Sequence, residues 1–119
     1  MNIDLIVDNI KKYDYSLLDV DDFLDNRDKK EFDSEWLKIL NQIDRNSIPE
    51  DVKTKADKYR KEVFLAIDRA SGSGEMSEYI SDDIELLIFA DYLNITNNWL
   101  NKLIEVYETG GLPTGILVW

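Results

Sequence analysis

A chain of 119 residues fits one domain, and its hydrophobic fraction of 44% is enough to build one core. Cysteine and histidine are both absent, which excludes disulfides, thiolate chemistry, the commonest metal ligand and the usual general base. The formal net charge is −11, from 25 acids and 14 bases, which disfavours nucleic acid and anionic membranes as partners and favours basic proteins.

The acidic charge is concentrated at the two ends of the chain. Residues 1–33 hold ten acids and five bases, for a net charge of −5, and residues 71–119 hold eight acids and one base, for −7. Residues 34–70 are balanced at +1, with seven acids and eight bases. The bases form no continuous stripe of the kind that binds a phosphate backbone. Acidic composition can also serve solubility alone.

Apolar residues in the first part of the chain recur at the three- and four-residue spacing of amphipathic helices. The first predicted helix carries Ile3, Ile6, Val7 and Ile10. The second carries Leu17, Leu18, Phe23 and Leu24, with Asp14 or Ser16 near its start. The third carries Phe32, Trp36, Leu37, Leu40 and Ile43, and ends near Asn46.

Three longer elements follow. A fourth helix is predicted from the cap Ser47 and the first-turn residue Pro49 to the break at SGSG. A fifth is predicted from Ser81 to about Leu93 and a sixth from Thr96 to Glu108. The apolar tail TGILVW is predicted as an extended segment or a small strand. The sequence thus predicts an all-α, single-domain bundle over residues 1–119, with about five to six helices and a short apolar C-terminal tail.

The pair Asp82–Asp83 directly precedes the most apolar run of the chain. With Ser81 as N-cap, both carboxylates would lie in the first turn, where each interacts with the helix dipole by roughly 0.3–1 kcal/mol. Leu87 and Phe89 belong to a helix that is apolar on nearly every side, which is typical of a central helix. We therefore expect the pair to mark the point where the core helix reaches the surface.

The sequence contains no recognisable calcium loop, phosphate loop or activated serine nucleophile. The run DVDDFLDNRD has the acid density of a calcium loop, but counting from Asp19 its sixth and twelfth positions hold Leu24 and Lys30 instead of glycine and glutamate. SGSGEMSEY has neither the spacing nor the lysine of a phosphate loop, and no serine has a histidine to activate it. We predict no catalytic residue, no metal site and no cofactor.

The segment from Glu78 to Pro113, EYISDDIELLIFADYLNITNNWLNKLIEVYETGGLP, resembles the C-terminal half of small helical bacterial proteins. Those proteins share a Y-[IV]-S-D-D-[FI]-E-L-I run, a W-L-x-x-L-x-x-x-Y helix and a G-x-[IFL]-P ending. Small acidic proteins of this kind are immunity proteins of contact-dependent growth inhibition and related polymorphic toxin systems. The resemblance covers about a third of the chain.

The resemblance implies a cytoplasmic protein that binds a cognate toxin domain, commonly a basic nuclease, and covers its cleft. It implies neither a nucleic-acid nor a membrane partner, and we expect a monomer in the absence of the toxin. The start MNIDLIVDN lacks the basic region of a secretory signal, and the run Ile84–Leu93 is too short to span a bilayer. Both features favour the cytoplasm.

Two acidic clusters are candidate partner-binding sites. One consists of Asp19, Asp21, Asp22 and Asp25, and the other of Glu75, Glu78, Asp82 and Asp83 with Tyr79 as an aromatic anchor. The second is preferred because it follows the flexible loop and includes the tyrosine. Two other functions remain open at this point: an acidic adaptor or antitoxin-like regulator of another basic protein, and a small carboxylate-dependent enzyme.

Overall fold

The computed structural model describes residues 1–117, which form six α-helices, two short 3₁₀ turns and no strand. The helices are α1 (Ile3–Lys12), α2 (Val20–Asp28), α3 (Lys30–Leu40), α4 (Glu50–Ser71), α5 (Gly74–Tyr92) and α6 (Asn98–Glu108). The 3₁₀ turns, Tyr15–Leu17 and Arg45–Ser47, precede α2 and α4. The predicted all-α bundle of five to six helices is confirmed.

Helix α5 lies at the centre of the bundle, as predicted. Eleven of its 19 residues are buried, and they occur on every side of the helix. Its most extensive packing partner is α4, to which it is joined by a two-residue turn. Gly72 ends α4 with φ +70°, a left-handed conformation that glycine adopts without a steric cost. Helix α1 packs against α4 and α6.

Helix α5 begins seven residues before the predicted start at Ser81. Ser73 is the true N-cap, and its hydroxyl oxygen accepts a hydrogen bond from the Met76 N–H at 3.1 Å. Ser81 lies inside the helix, is 2% exposed and donates its hydroxyl proton to the Glu78 carbonyl. The interpretation of Asp82 and Asp83 as first-turn residues is therefore wrong, because Ser73 and Gly74 already start the helix.

Other boundaries differ from the prediction by smaller amounts. Helix α2 starts only at Val20, where the Asp19 carboxylate caps it, and the residues before it form a separate 3₁₀ turn. Helix α3 ends at Leu40, and α6 is capped by Asn97 in place of the neighbouring Thr96. The side-chain hydrogen bonds of Asp19 and Asn97 fix where α2 and α6 begin. Helices α3 and α4 begin without such a bond, and Pro49 is the N-cap of α4 in place of the predicted Ser47.

The described part of the C-terminal tail contains neither strand nor helix, bends at Gly115 and packs against the bundle. The Thr114 hydroxyl donates to the Phe23 carbonyl at 2.9 Å, which ties the tail to α2. Leu117 is 7% exposed and belongs to the core, whereas Ile116 is 71% exposed. The last two residues of the predicted apolar tail, Val118 and Trp119, lie outside the described residues.

Truncation of the α5 core tests this architecture. Leu87 and Phe89 are 1% and 2% exposed. Leu87→Ala and Phe89→Ala should each lower the free energy of unfolding by about 2–5 kcal/mol, since each opens a cavity in the centre of the bundle. Urea unfolding followed by circular dichroism measures this change.

Leu65→Ala on α4 is the control, because Leu65 is 41% exposed and its truncation should change the free energy by no more than about 0.5 kcal/mol. Full tolerance of both core substitutions would contradict the fold, as would a spectrum dominated by β structure.

Candidate partner-binding cleft

Beneath the candidate site lies a buried ion pair between Arg27 of α2 and Asp83 of α5. The two side chains are 4% and 0% exposed. Arg27 Nη2 lies 2.6 Å from Asp83 Oδ1, and Nη1 lies 3.0 Å from Oδ2. This bidentate geometry is the strongest that an arginine and a carboxylate form. Asp83 is therefore an internal group with no exposed surface for a partner.

Two further donors complete the coordination of the Asp83 carboxylate. Trp36 Nε1 of α3 donates to Oδ1 at 2.9 Å, and the Tyr107 hydroxyl of α6 donates to Oδ2 at 2.5 Å. Each carboxylate oxygen thus accepts two hydrogen bonds, and the donors come from three different helices. We call Asp83, Arg27, Trp36 and Tyr107 the carboxylate junction.

Charge and burial keep two of the donors, Tyr107 and Arg27, protonated. Burial raises the pKa of Tyr107 well above its ordinary value, and the negative charge of Asp83 raises it further, so the hydroxyl remains a donor. Burial alone would lower the pKa of Arg27, but the charge of Asp83, the neighbouring Tyr107 and the hydrogen bonds to both together outweigh it, and the pKa is raised. The guanidinium also lies 4.1 Å from the centroid of the Phe32 ring, within cation–π range.

Directly above the junction the surface forms a cleft of about 190 Å³. Its lining residues come from α2, α3 and α5 and are Arg27, Asp28, Phe32, Asp33, Trp36, Tyr79 and Asp82. We call this the acidic cleft, because it has three carboxylates and one guanidinium, and that guanidinium is already neutralised by Asp83. Trp36 and Tyr79 provide aromatic surface.

Hydrogen bonds hold both aromatic walls of the acidic cleft in place. The Tyr79 hydroxyl donates to the Asp28 carboxylate at 2.6 Å, which connects α5 to α2. This hydrogen bond, together with partial burial, raises the pKa of Tyr79 to about 12, so the tyrosine is neutral at physiological pH. The indole of Trp36 is fixed by its bond to Asp83. The cleft is thus preformed.

Asp82 stands at the edge of the acidic cleft that faces α4. Its Oδ1 lies 2.8 Å from Arg60 Nη2, and its side chain is 39% exposed. Arg60 also contacts Glu85 at 3.0 Å, and Glu85 contacts Arg45 at 2.7 Å. Burial raises the pKa of Asp82, and the positive charge of Arg60 opposes that shift. Asp82 is therefore shared between a helix–helix contact and the surface.

A second cleft, also about 190 Å³ in volume, adjoins the first. Most of its surface is apolar, but the paired charged side chains Arg45, Arg60, Asp82 and Glu85 also line it. Trp36 and Asp82 line both clefts, so the indole stands between them. Leu40, Ile43 and Phe89 contribute apolar surface to the second cleft. An acidic cleft beside an apolar one is the combination expected where a charged side chain and its apolar neighbours dock together.

The structure separates the predicted site residues into three groups. Tyr79 and Asp82 line the acidic cleft, and Asp83 lies buried below it. Glu75 and Glu78 are exposed on the first two turns of α5. The other predicted cluster, Asp19, Asp21, Asp22 and Asp25, lies exposed on α2, where Asp19 serves as the N-cap. Apart from Asp83, these residues remain candidate contacts, and their role stays a prediction.

Sequence reasoning missed Arg27, Asp28 and Asp33, and treated Trp36 only as a packing residue. A signal for Arg27 was present: it follows Phe23 by four residues, so it shares the buried face of α2 with Phe23 and Leu24. A basic residue at such a position indicates a buried acidic partner. The sequence offers no comparable signal for Asp28 or Asp33, because the cleft forms only where α5, which is distant in the chain, packs beside α2 and α3.

Within residues 1–117, no group of three or more histidine, cysteine, aspartate or glutamate side chains is placed to hold a metal ion. None of the helices in this range is both long and apolar enough to cross a membrane.

A double-mutant cycle tests whether the junction acts as a unit. Asp83→Ala leaves Arg27 buried without its counter-ion, so it should lower the free energy of unfolding by about 3–5 kcal/mol, as should Arg27→Ala. The double variant should cost less than the sum of the two by at least about 1 kcal/mol. Denaturant unfolding of the four proteins measures the coupling.

The exposed pair Lys102–Glu105, at 3.1 Å, is the control and should show a coupling of no more than about 0.5 kcal/mol. Additive effects at Arg27 and Asp83 would show that their contact does not contribute to stability.

Comparison with known proteins identifies a family. Residues 4–114 match the family model described as Immunity protein PIM1. This match extends well beyond the segment 78–113 on which the resemblance to immunity proteins rests, and it confirms that resemblance. No curated protein matches the chain significantly.

Proposed function

Because the chain belongs to the PIM1 family of immunity proteins, its function is to bind and neutralise a toxin, and we propose that this toxin is a basic nuclease domain whose active-site cleft it covers. The proposal places the encounter in the bacterial cytoplasm, where the nucleic acid substrate lies. It also includes the secretion context that the resemblance implies, contact-dependent growth inhibition or a related toxin system.

The observation that carries the nuclease assignment is the unneutralised acidic surface. The chain has 25 acids and 14 bases, and exposed acids lie on α2 and α5, two of the helices that line the acidic cleft. Within residues 1–117 none of Asp21, Asp22, Asp25, Glu75 and Glu78 has a salt-bridge partner. These carboxylates are free to face a cationic surface.

A nuclease that grips phosphates presents such a cationic surface. An acidic protein that occupies it excludes the nucleic acid and is also attracted to it at long range. Electrostatic attraction of this kind raises association rates toward about 10⁸–10⁹ M⁻¹s⁻¹ at low ionic strength. Rapid capture suits an immunity protein, since every uninhibited toxin molecule acts on the cell's own nucleic acid.

The first test is the ionic-strength dependence of association. The Debye length falls from about 30 Å at 0.01 M salt to about 8 Å at 0.15 M, so the association rate constant should fall roughly tenfold over this range. Stopped-flow mixing with the cognate toxin domain measures it. A rate constant that does not change with salt would contradict the electrostatic part of the proposal.

Charge reversal distinguishes the two acidic clusters. Glu75→Lys with Glu78→Lys should weaken toxin binding by roughly tenfold, about 1.4 kcal/mol, because these residues lie on the same helix as Tyr79 and Asp82. Asp21→Lys with Asp22→Lys should have a smaller effect.

Each double variant reverses two charges near a helix N-terminus. Both lysines fall in the first turn of α2, but only the one at position 75 falls in the first turn of α5, so the α2 variant should lose more stability. Isothermal titration and thermal unfolding should be recorded for both variants. A larger loss of affinity for the α2 variant would move the interface to Asp21 and Asp22 without affecting the immunity function.

A further inference from the structure

We propose that the acidic cleft is the receptor for one arginine side chain of the toxin, which enters it between Trp36 and Tyr79 and pairs with Asp33. This inference rests on the proposed basic partner and adds the part of the interface that anchors it. It concerns a site distinct from the exposed acids on the outer faces of α2 and α5.

The size of the acidic cleft selects the class of occupant. Clefts that hold cofactors or drug-sized ligands usually enclose about 300–1,000 Å³. The acidic cleft, at about 190 Å³, is smaller and suits a single extended side chain. A protein partner that inserts one residue fits this dimension, and the family assignment establishes that the partner is a protein.

The charge of the cleft selects a cation. Arg27 is neutralised from below by Asp83, and Asp82 shares the charge of Arg60. Asp28 accepts a hydrogen bond from the Tyr79 hydroxyl and has no salt bridge within residues 1–117. Asp33 is exposed, and within residues 1–117 its carboxylate has neither a hydrogen bond nor a salt bridge. A cation entering the cleft therefore meets two carboxylates, Asp28 and Asp33, that no base neutralises.

The walls of the cleft favour arginine over lysine. A guanidinium is planar, stacks on aromatic rings and donates to carboxylates in pairs, whereas an ammonium is a compact and strongly hydrated charge. The same molecule already shows the preference internally, because Arg27 lies 4.1 Å from the Phe32 ring centroid while its fork binds Asp83.

Preorganisation makes this cleft a favourable anchor site. Trp36 is held by Asp83 and Tyr79 by Asp28, so neither ring loses much rotational freedom when the cleft is filled. The adjoining apolar cleft lies next to Trp36 and can exclude water from one side of the contact. An arginine in this position would have the surroundings typical of an interface hot spot.

Asp33→Asn, with Glu31→Gln as its control, tests the proposal. Both acids lie exposed in the first turn of α3, so the two variants lose the same charge at the same helix end, but only Asp33 lines the cleft. We expect Asp33→Asn to weaken toxin binding at least roughly tenfold, mainly through faster dissociation, and Glu31→Gln to change it less than about twofold. Equal effects of the two substitutions would overturn the cleft assignment.

A second arm identifies the occupant. Each surface arginine and lysine of the toxin is replaced by alanine and titrated against the wild type and Asp33→Asn. For one toxin arginine, the alanine substitution should weaken binding to the wild-type protein at least roughly fivefold more than it weakens binding to Asp33→Asn. A direct contact between that arginine and Asp33 requires this coupling. Coupling to a lysine would overturn the choice of arginine, and coupling to no cation would overturn the site.

These outcomes are separable from failure of the proposed function. If wild-type protein binds and inhibits a basic nuclease while Asp33 shows no coupling, the proposed function stands and the cleft proposal falls. If the wild-type protein binds a toxin that is not a basic nuclease, the proposed function falls first.

Discussion

The carboxylate of Asp83 is the point on which the arrangement of four helices depends. It is carried by α5, is fully buried, and accepts hydrogen bonds from Arg27 of α2, Trp36 of α3 and Tyr107 of α6. Burying an ion pair costs several kcal/mol per ion unless its hydrogen-bonding capacity is satisfied. Four donors around one carboxylate meet that condition, and they do so in only one relative placement of the four helices. Apolar packing alone would leave that placement less strictly defined.

The same junction shapes the surface above it. Arg27 and Trp36 take part both in the buried hydrogen bonds and in the lining of the acidic cleft. The carboxylate junction and the acidic cleft thus share two side chains. This explains how so small a protein can present a preformed site: the rigidity that a hot spot needs is supplied by contacts the core already makes. Long-range attraction of the toxin then depends on the exposed acids of α2 and α5, and specificity for the toxin depends on the acidic cleft.

Part of this structure could be predicted from the sequence. The spacing of Ile3, Ile6, Val7 and Ile10 identifies α1 and its buried face correctly, and the apolar run after Asp83 correctly identifies the central helix. Helical periodicity is a local property, so the sequence contains it in full. The sequence predicts the start of α5 too late, because Ser81 and Asp82–Asp83 have the composition of an N-cap. In the structure the Ser81 hydroxyl donates within the helix, and the two aspartates pair with Arg60 and Arg27.

The acidic cleft is not visible in the sequence because its two sides, residues 27–36 and residues 79–82, are far apart along the chain. Arg27 and Asp83 are separated by 56 residues, and Tyr79 and Asp28 by 51. An acidic residue near an apolar run can be a helix cap, a solvated group or half of a buried ion pair. Which of these it is depends on the residue that it contacts in the folded chain. The family assignment supplies the toxin as partner, but the distribution of its contacts over the surface depends on the packing of α2, α3 and α5.

A crystal structure of the protein bound to its cognate toxin domain tests the central claim most directly. The account predicts that the toxin covers the acidic cleft with an arginine guanidinium within salt-bridge distance of the Asp33 carboxylate, while the Arg27–Asp83 pair remains buried and intact beneath it. A complex in which the toxin contacts another face of the bundle and leaves this cleft open to solvent would contradict it.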